Sequence, residues 1–248
     1  MLKTMQPSIQ PTSIIINGQA LESAEVVAVA RYNATVSLGS ASISRIQAAR
    51  SLIDEISAEG RKVYGVTTGF GHLSSVRIPQ DQLLDLQHNL LRSHAAGVGE
   101  ALSEEVTRAM MVLLAASLAR GNSGVRVEIV QLLVDMLNKR IYPQIPSRGS
   151  VGASGDLAPL AHLGLVLVGE GEARYKDQNY TGGEALLQAG LTPLRLQAKE
   201  GLALINGTHL MEAMAVLALT DTRALVRSAE VAYAMSLEGL LGSHVPLD

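Results

Sequence analysis

The segment that most constrains the fold is Gly149-Ser-Val-Gly-Ala-Ser-Gly-Asp-Leu-Ala-Pro159, in which three glycines recur at every third residue. Glycine tolerates a positive φ angle and lets other atoms approach the backbone closely. Asp156 lies where a helix N-cap is expected, Pro159 is compatible with a first helical turn, and an apolar run at 160–168 follows. The segment therefore predicts a tight turn at the N-terminus of an apolar helix, where partial positive charge favours an anion.

The Ala153-Ser154-Gly155 tripeptide in this segment has more than one interpretation from its residues alone. Small residues before a helix commonly form a simple turn. Ser154 as a hydrolase nucleophile is a second interpretation, although the order Gly-Ala-Ser-Gly differs from the Gly-x-Ser-x-Gly of a nucleophile elbow and no strand clearly precedes it. A third interpretation depends on the resemblance described below.

Composition restricts the class of protein. The chain has 248 residues, of which 47% are hydrophobic and 17% charged, with a formal net charge of −3. This length can bury a substantial core, and so apolar a composition indicates that some surface is buried against partner subunits. The absence of cysteine excludes disulfides and thiolate metal sites. Scattered basic residues and an aromatic content of 3% argue against a nucleic-acid interface.

Two further features bear on location. We find no continuous apolar run of the length needed to span a bilayer. The segment 1–11 lacks the apolar core of a signal peptide. We therefore expect a cytoplasmic, mostly helical protein without a membrane partner.

Turn and capping signals divide the rest of the chain. Ser13–Ile16 followed by Asn17-Gly18 predicts a hairpin that returns over 19–21, and 171–180 predicts a second hairpin. A capping box at Thr181 and Glu184 predicts a short helix. Further helices are predicted over 22–32, 42–58 with Gly60 as C-cap, 81–92, 103–120, 125–140 (stopped by Pro143) and 209–241.

Three motifs, in order along the chain, resemble the aromatic amino acid ammonia-lyases, which comprise the histidine, phenylalanine and tyrosine ammonia-lyases. Tyr64-Gly-Val-Thr-Thr-Gly-Phe-Gly71 is similar to the Tyr-Gly-x-x-Thr-Gly-Phe-Gly loop of that family, and the segment 149–159 is similar to its Ala-Ser-Gly segment. Lys199-Glu-Gly-Leu-Ala-Leu-Ile-Asn-Gly-Thr208 is similar to its Lys-Glu-Gly-Leu-Ala-Leu-x-Asn-Gly-Thr. The resemblance covers nearly the whole chain.

The resemblance implies a prosthetic group made from the chain itself. In the family the Ala-Ser-Gly tripeptide cyclises to 4-methylideneimidazol-5-one (MIO), so Ala153, Ser154 and Gly155 would form MIO and Asp156 would assist its formation. Ring closure needs an unhindered backbone nitrogen, a hydroxyl to eliminate and a strained turn, which accounts for these residue types. No metal is implied.

The resemblance also implies the other residues of the site. Tyr64 would remove the β-hydrogen of the substrate. A phenol with a pKa near about 10 is a poor base at neutral pH, so its surroundings must favour the phenolate. Asn206 would orient MIO or hydrogen-bond the substrate. Gly71, His94 and Leu157 would line the pocket.

The implied substrate is histidine. A lone histidine before small residues is commonly a capping or packing residue, but Ser93-His94-Ala-Ala-Gly97 resembles the version of this segment in histidine lyases. Tyrosine lyases tend to carry the histidine one position earlier, followed by leucine. His209 stands where histidine lyases usually carry glutamine. His162, in the apolar helix, is expected to be a buried, hydrogen-bonded core residue.

The implied fold is mainly α: the N-terminal MIO domain of the ammonia-lyase (fumarase/aspartase-like) fold, with small β-hairpins and the start of a long-helix bundle. We expect a flexible arm over 1–12, the MIO-bearing domain over 13–205 and the first long helix of the central bundle over 206–248. The implied activity is non-oxidative elimination of ammonia from L-histidine to give urocanate, in a homotetramer.

Two alternatives to this function stay open. One is a tyrosine or phenylalanine ammonia-lyase, or an aminomutase with the same group. The other follows because family members continue into further helices that contribute to the site, so we expect a truncated, N-terminal part. That part would then be a catalytically inert fragment or an assembly subunit.

Overall fold

The computed structural model describes residues 11–69, 78–79, 82–152, 155–243 and 245. Within them the chain is mainly helical, as the sequence predicts. The helices are α1 Ser23–Tyr32, α2 Ser40–Glu59, α3 Leu83–His94, α4 Glu104–Leu118, α5 Val127–Lys139, α6 Leu157–Leu167, α7 Gly182–Gln188, α8 Glu200–Ile205 and α9 His209–Gly239. The strands are β1 Ser13–Ile16, β2 Thr35–Leu38, β3 Val98–Ala101, β4 Tyr142–Pro143, β5 Pro146–Arg148, β6 Glu172–Tyr175 and β7 Gln178–Thr181.

Helix α4 lies at the centre of the core. It packs against α1, α5 and the first part of α9, and Met110, Met111 and Leu114 are fully buried. Arg108 of the same helix is also buried, and its guanidinium donates to the carbonyl oxygens of Val29 (2.8 Å) and Leu137 (3.1 Å). These bonds satisfy a charged group that would otherwise be costly to bury, and they join α1 and α5 to α4.

The predicted hairpin at Asn17-Gly18 is wrong. Strand β1 pairs in parallel with β2, with Ser13 opposite Thr35, so α1 is the connection between the two strands. The turn itself exists: Gly18 has a φ angle of +73°. Arg45 of α2 donates to the Asn17 carbonyl oxygen, and the chain continues into α1 instead of returning along β1.

The second predicted hairpin and most helix ends are confirmed. Strands β6 and β7 pair antiparallel, and β4 extends this sheet on the β6 side. Thr181 and Glu184 form the predicted capping box of α7, and Gly60 ends α2 with a φ angle of +65°. Helix α5 ends at Arg140 in the left-handed conformation, so Pro143 does not stop it. Strand β5 pairs with β3 and leads directly into the glycine-rich segment.

One segment does not match the expectation that no apolar run is long enough to span a bilayer. Among the described residues, the segment Glu200–Gly239 is long and apolar enough to do so by length and composition alone. This is weak evidence, because a core helix of a soluble protein meets the same criterion. The start of α9 is such a core element, with Leu210, Ala213 and Leu217 buried. The predicted domain boundary at residues 205 and 206 stays a prediction.

Candidate active site

The turn that precedes α6 is central to the candidate site. Gly155 is buried and has a φ angle of +153°, a conformation that glycine adopts far more readily than other residues. Its C-terminal side is fixed, because the Asp156 N–H donates to the Gly207 carbonyl oxygen at 2.7 Å. Ala153 and Ser154, the other residues of the tripeptide, lie outside the described residues. The conformation at position 155 therefore explains why glycine stands there.

The Asp156 side chain binds a different helix from the one it precedes. It is fully buried, and Oδ2 accepts the N–H groups of Leu210 (2.9 Å) and Met211 (3.0 Å) in the first turn of α9. Oδ1 accepts the Ser150 hydroxyl at 2.5 Å. Asp156 does occupy the predicted N-cap position of α6, but Pro159 in that first turn has no N–H to offer. The carboxylate therefore meets the positive end of α9 instead.

The segment after α3 packs against the same turn. The Gly97 N–H donates to Nε2 of His162 at 3.1 Å. A Cβ atom on Gly149 would lie 3.3 Å from the Gly97 Cα and 3.2 Å from the Ala158 Cβ, so the Gly149 backbone packs closely against the Gly97 backbone and the Ala158 side chain. Burial lowers the pKa of His162, which favours the neutral ring that can accept this bond. The predicted hydrogen-bonded role of His162 is confirmed, although the ring is only partly buried.

His94 is the last residue of α3 and its ring is half-buried. Its Nδ1 lies 2.9 Å from the Leu90 carbonyl oxygen and 3.1 Å from the Ser93 hydroxyl. Because a carbonyl oxygen only accepts, Nδ1 carries the proton in the first of these bonds. In the neutral ring Nε2 is then the acceptor, so it is the atom that can receive an N–H from a ligand.

Asn206 and Gly207 form the turn between α8 and α9. The Asn206 N–H donates to the Leu202 carbonyl oxygen at 3.2 Å and ends α8, while the residue itself is exposed. His209, two residues after Gly207, is 5% exposed. Burial lowers its pKa. Since Gly207 accepts from Asp156, this turn lies directly beside the glycine-rich segment.

Tyr64 lies in the loop that follows α2, and its side chain is 55% exposed. The loop is anchored by Val66, which is buried in a small apolar cluster with Ile53 and Ile56 of α2. Gly71, predicted to contact the substrate, lies outside the described residues. Tyr64 is therefore carried by an element that packs on α2.

Leu157 and Asn206 lie close to Asp156. A Cβ atom on Gly155 would lie 3.6 Å from Cδ2 of Leu157, and Leu157 is 39% exposed. Asn206 is joined to Asp156 through the neighbouring Gly207. His94 is three residues before Gly97, which is the residue that contacts Gly149. Two of the three motifs, the glycine-rich segment and the Asn206-Gly207 turn, therefore meet at the N-termini of α6 and α9, whereas Val66 in the Tyr64 loop packs on α2.

Sequence reasoning missed one buried carboxylate in the helix that precedes Asn206. Glu200 begins α8, is fully buried, and accepts the Arg126 N–H (3.0 Å), Nε (2.9 Å) and Nη2 (2.8 Å) as well as the Gln197 N–H (2.7 Å). Helix α8 carries Asn206 at its other end. The motif drew attention to the Lys-Glu-Gly sequence, but Arg126 is 74 residues away along the chain. Nothing in the sequence pattern identifies this partner.

A cavity of about 460 Å³ lies between α2, α3 and the segment 195–198, with Arg50, Asp54 and Arg126 among its lining residues. It includes none of the predicted site residues that the structure describes. Within the described ranges, no group of three or more histidine, aspartate and glutamate side chains could hold a metal ion.

Comparison with known proteins relates this site to a family. The model of the aromatic amino acid lyases matches residues 21–248. Histidine ammonia-lyase of Myxococcus xanthus (strain DK1622) is 51% identical over 233 residues, which are 94% of this chain and 46% of the relative. Histidine ammonia-lyase of Gloeobacter violaceus (strain ATCC 29082 / PCC 7421) is 50% identical over 231 residues, or 93% of this chain and 45% of the relative.

Solved structures agree with the sequence comparison. The crystal structure of histidine ammonia-lyase from Trypanosoma cruzi matches with a TM-score of 0.88 and 39% identity, covering 94% of this chain and 45% of that chain. Ergothionase from Treponema denticola matches with a TM-score of 0.88 and 31% identity, covering 94% and 46%. The chain thus spans less than half the length of these relatives. The predicted ammonia-lyase fold is confirmed, and the chain belongs to the aromatic amino acid lyase family.

Proposed function

We propose that this chain is the MIO-bearing part of a histidine ammonia-lyase, which eliminates ammonia from L-histidine to give urocanate. Relatives at 50–51% identity carry that name, and the family depends on MIO. The observation that carries the proposal is the Gly155-Asp156 turn, which is tied by hydrogen bonds to Gly207 and to the N-terminus of α9. Such a turn suits a backbone that must be held in a strained shape.

The residues present fit formation of MIO. The Gly155 nitrogen would attack the Ala153 carbonyl carbon, forming the new C–N bond of a five-membered ring. The carbonyl oxygen would leave as water, with protons from the Gly155 and Ser154 nitrogens. The Ser154 hydroxyl would leave as a second water, with the Ser154 Cα proton, which creates an exocyclic double bond. The positive φ angle at Gly155 and the bond that anchors Asp156 support this assignment.

The chain's own side chains would then bind the substrate and move its protons. MIO supplies an electrophile that turns the amino group of the substrate into a better leaving group. Oη of Tyr64 would take the proton from the β-carbon. The C–H electrons would form the Cα=Cβ bond as the C–N bond breaks and nitrogen leaves with its electron pair.

Binding and orientation would come from four further residues. Nε2 of His94 would accept an N–H from the imidazole of the substrate, because its Nδ1 already donates to Leu90. Leu157 would offer apolar contact, and Gly71 would let the substrate approach the Tyr64 loop. The Asn206 amide would hydrogen-bond the substrate. These roles are our proposal.

The same-class alternative is a tyrosine or phenylalanine lyase, or an aminomutase. Tyrosine aminomutase from Streptomyces globisporus matches with a TM-score of 0.86 at 35% identity, which is below the 51% identity of the histidine ammonia-lyase of Myxococcus xanthus. Activity of the complete enzyme on histidine, tyrosine and phenylalanine separates these alternatives. An assembly role without catalysis is the remaining alternative.

We also propose that the complete protein is a cytoplasmic homo-oligomer, a homotetramer by analogy with the family. The second half of α9 supports this, since large apolar side chains along it are exposed: Leu225, Val226, Val231, Tyr233 and Met235. Exposed apolar surface of this extent is typical of an interface. Light scattering measures the assembly directly.

Intact mass of the complete enzyme tests the proposed function. We expect a deficit of two waters in the parent protein, no deficit in Ser154→Ala, and loss of histidine elimination in that variant. Ser103→Ala is the matched control, because Ser103 precedes α4 and its side chain makes no capping hydrogen bond there. An undiminished parent mass, or full activity in Ser154→Ala, would contradict the proposal.

A further inference from the structure

His209 is a buried titratable group that the proposed reaction does not use. It is 5% exposed, and among the described residues its Nδ1 atom has no hydrogen-bond partner. Buried polar atoms in native proteins are nearly always hydrogen-bonded, and leaving one unpaired costs free energy. The buried imidazole of His209 is therefore expected to have a hydrogen-bond partner or a function.

The ring of His209 fixes the position of Gly207. A Cβ atom on Gly207 would overlap with Cε1 and Nδ1 of the ring and would lie 3.2 Å from Nε2. The glycine is thus required by the approach of the ring, and the two residues form one packed unit at the start of α9.

Gly207 connects this unit to the tripeptide. Its carbonyl oxygen accepts the Asp156 N–H at 2.7 Å. This N–H belongs to the peptide bond between Gly155 and Asp156. Two charged groups also face the ring electrostatically, Asp156 from the turn before α6 and Glu212 from α9 itself. Glu212 is occupied by the Thr208 hydroxyl at 2.7 Å, and Asp156 by its bonds to α9 and Ser150. The nearby carboxylates are therefore already engaged.

We propose that His209 is a positioning residue for the MIO turn: its ring fixes the Gly207 peptide, and its unpaired Nδ1 atom would form a hydrogen bond to the backbone of that turn while the ring of MIO closes. This rests on the proposed function and adds a residue to that site. The step that His209 assists is the approach of the Gly155 nitrogen to the Ala153 carbonyl carbon. His209 acts through Gly207 and does not touch the substrate.

The test compares His209→Asn with His209→Leu in the complete enzyme. The two side chains have nearly the same shape, but only asparagine keeps a hydrogen-bonding atom near the position of Nδ1. The loss of water is followed by intact mass after cell-free synthesis, in the folded oligomer only. We expect dehydration about three- to tenfold slower in His209→Leu than in His209→Asn, the range for one lost hydrogen bond.

Two further variants complete the design. His209→Phe keeps a planar ring without nitrogen and is expected to be slow, which covers the case that His209→Leu does not fold. His88→Leu is the control, because His88 of α3 is another partly buried histidine with a pKa lowered by burial, and it bonds to Leu196 instead. It should dehydrate at the parental rate.

The outcomes separate the two proposals. Equal rates in His209→Asn and His209→Leu overturn the role of Nδ1, and a parental rate in His209→Phe does the same. Parental rates in all three His209 variants overturn the positioning role as a whole. A parent protein that loses no water contradicts the proposed function instead, and it does so before any His209 variant is compared.

Discussion

Replacing Asp156 by alanine should loosen the first turn of α9. The carboxylate is fully buried and accepts the Leu210 and Met211 N–H groups at 2.9 and 3.0 Å. Removing a helix cap costs about 0.5–2 kcal/mol, and a hydrogen bond to a charged group contributes about 1.5–3 kcal/mol. We therefore expect the local opening free energy of this turn to fall by about 2 kcal/mol, which is about a 30-fold change in the opening equilibrium.

Asparagine at position 156 should have a smaller effect. Its amide oxygen can accept from Leu210 and Met211, while its NH₂ group donates to the hydroxyl of Ser150. All the hydrogen bonds are then kept, but each becomes a neutral bond, roughly half as strong as the charged one. We expect a loss of about 1 kcal/mol, or about fivefold.

Hydrogen–deuterium exchange measured by mass spectrometry checks both expectations on peptides from the first turn of α9. Ser150→Ala serves as the control, because it removes the donor to Oδ1 and leaves the bonds to α9 in place. Exchange in that turn should follow the order parent and Ser150→Ala, then Asp156→Asn, then Asp156→Ala. If Asp156→Ala exchanges within twofold of the parent while α9 stays folded, the carboxylate does not hold this helix.

Two further predictions concern stability. Burial lowers the pKa of His88, His162 and His209 below the ordinary value of 6.5, so the unfolded state binds more protons than the folded state. The free energy of unfolding should therefore fall as pH drops below about 6.5 and level off above it. Thermal unfolding between pH 5 and 8 measures this, and a flat profile would contradict it. Gly201→Ala should destabilise the protein by about 1–3 kcal/mol, because its Cβ would lie 2.7 Å from the Gln87 carbonyl oxygen. Gly239→Ala, in the open last turn of α9, should instead stabilise it by about 0.5–1 kcal/mol. Denaturant unfolding compares the two variants, and equal effects would refute the argument.

Local sequence signals predicted most helix ends correctly. The capping box at Thr181 and Glu184 and the left-handed cap at Gly60 depend on residues within one turn of each other. Such local interactions can be predicted from a few neighbouring residues of the sequence. The same holds for the hairpin of β6 and β7, whose two strands are separated by a two-residue turn.

The first hairpin shows where local signals fail. Asn17-Gly18 does form a turn with a positive φ angle, so its turn chemistry was interpreted correctly. The strand partner, however, is chosen by burial: Ile14 and Ile16 are buried where β1 lies beside β2, with α1 as the connection. A parallel pair connected by a helix is decided by tertiary packing, which a two-residue turn motif does not report.

The candidate site likewise has parts that the sequence predicted and parts that only tertiary packing decides. The motifs placed Gly155 and Asn206 near each other only through resemblance, and the sequence offered Asp156 as a cap for the helix that it precedes. In the structure this carboxylate caps α9, whose first amides lie 54 and 55 residues further along the chain. Pro159 removes a donor from α6, and the Gly207 carbonyl aligns the Asp156 backbone, so the side chain is directed to α9.

This arrangement couples the glycine-rich turn to the long helix. One residue, Asp156, contributes its N–H to Gly207 and its carboxylate to Leu210 and Met211, so the turn and the first turn of α9 cannot move independently. Exposed apolar side chains cover the second half of the same helix. If α9 is held in place by an oligomer, that constraint reaches Gly155 through Asp156. Formation of MIO would then depend on assembly, because the strain needed at Gly155 is maintained by a helix whose exposed apolar side chains would be buried only in the oligomer.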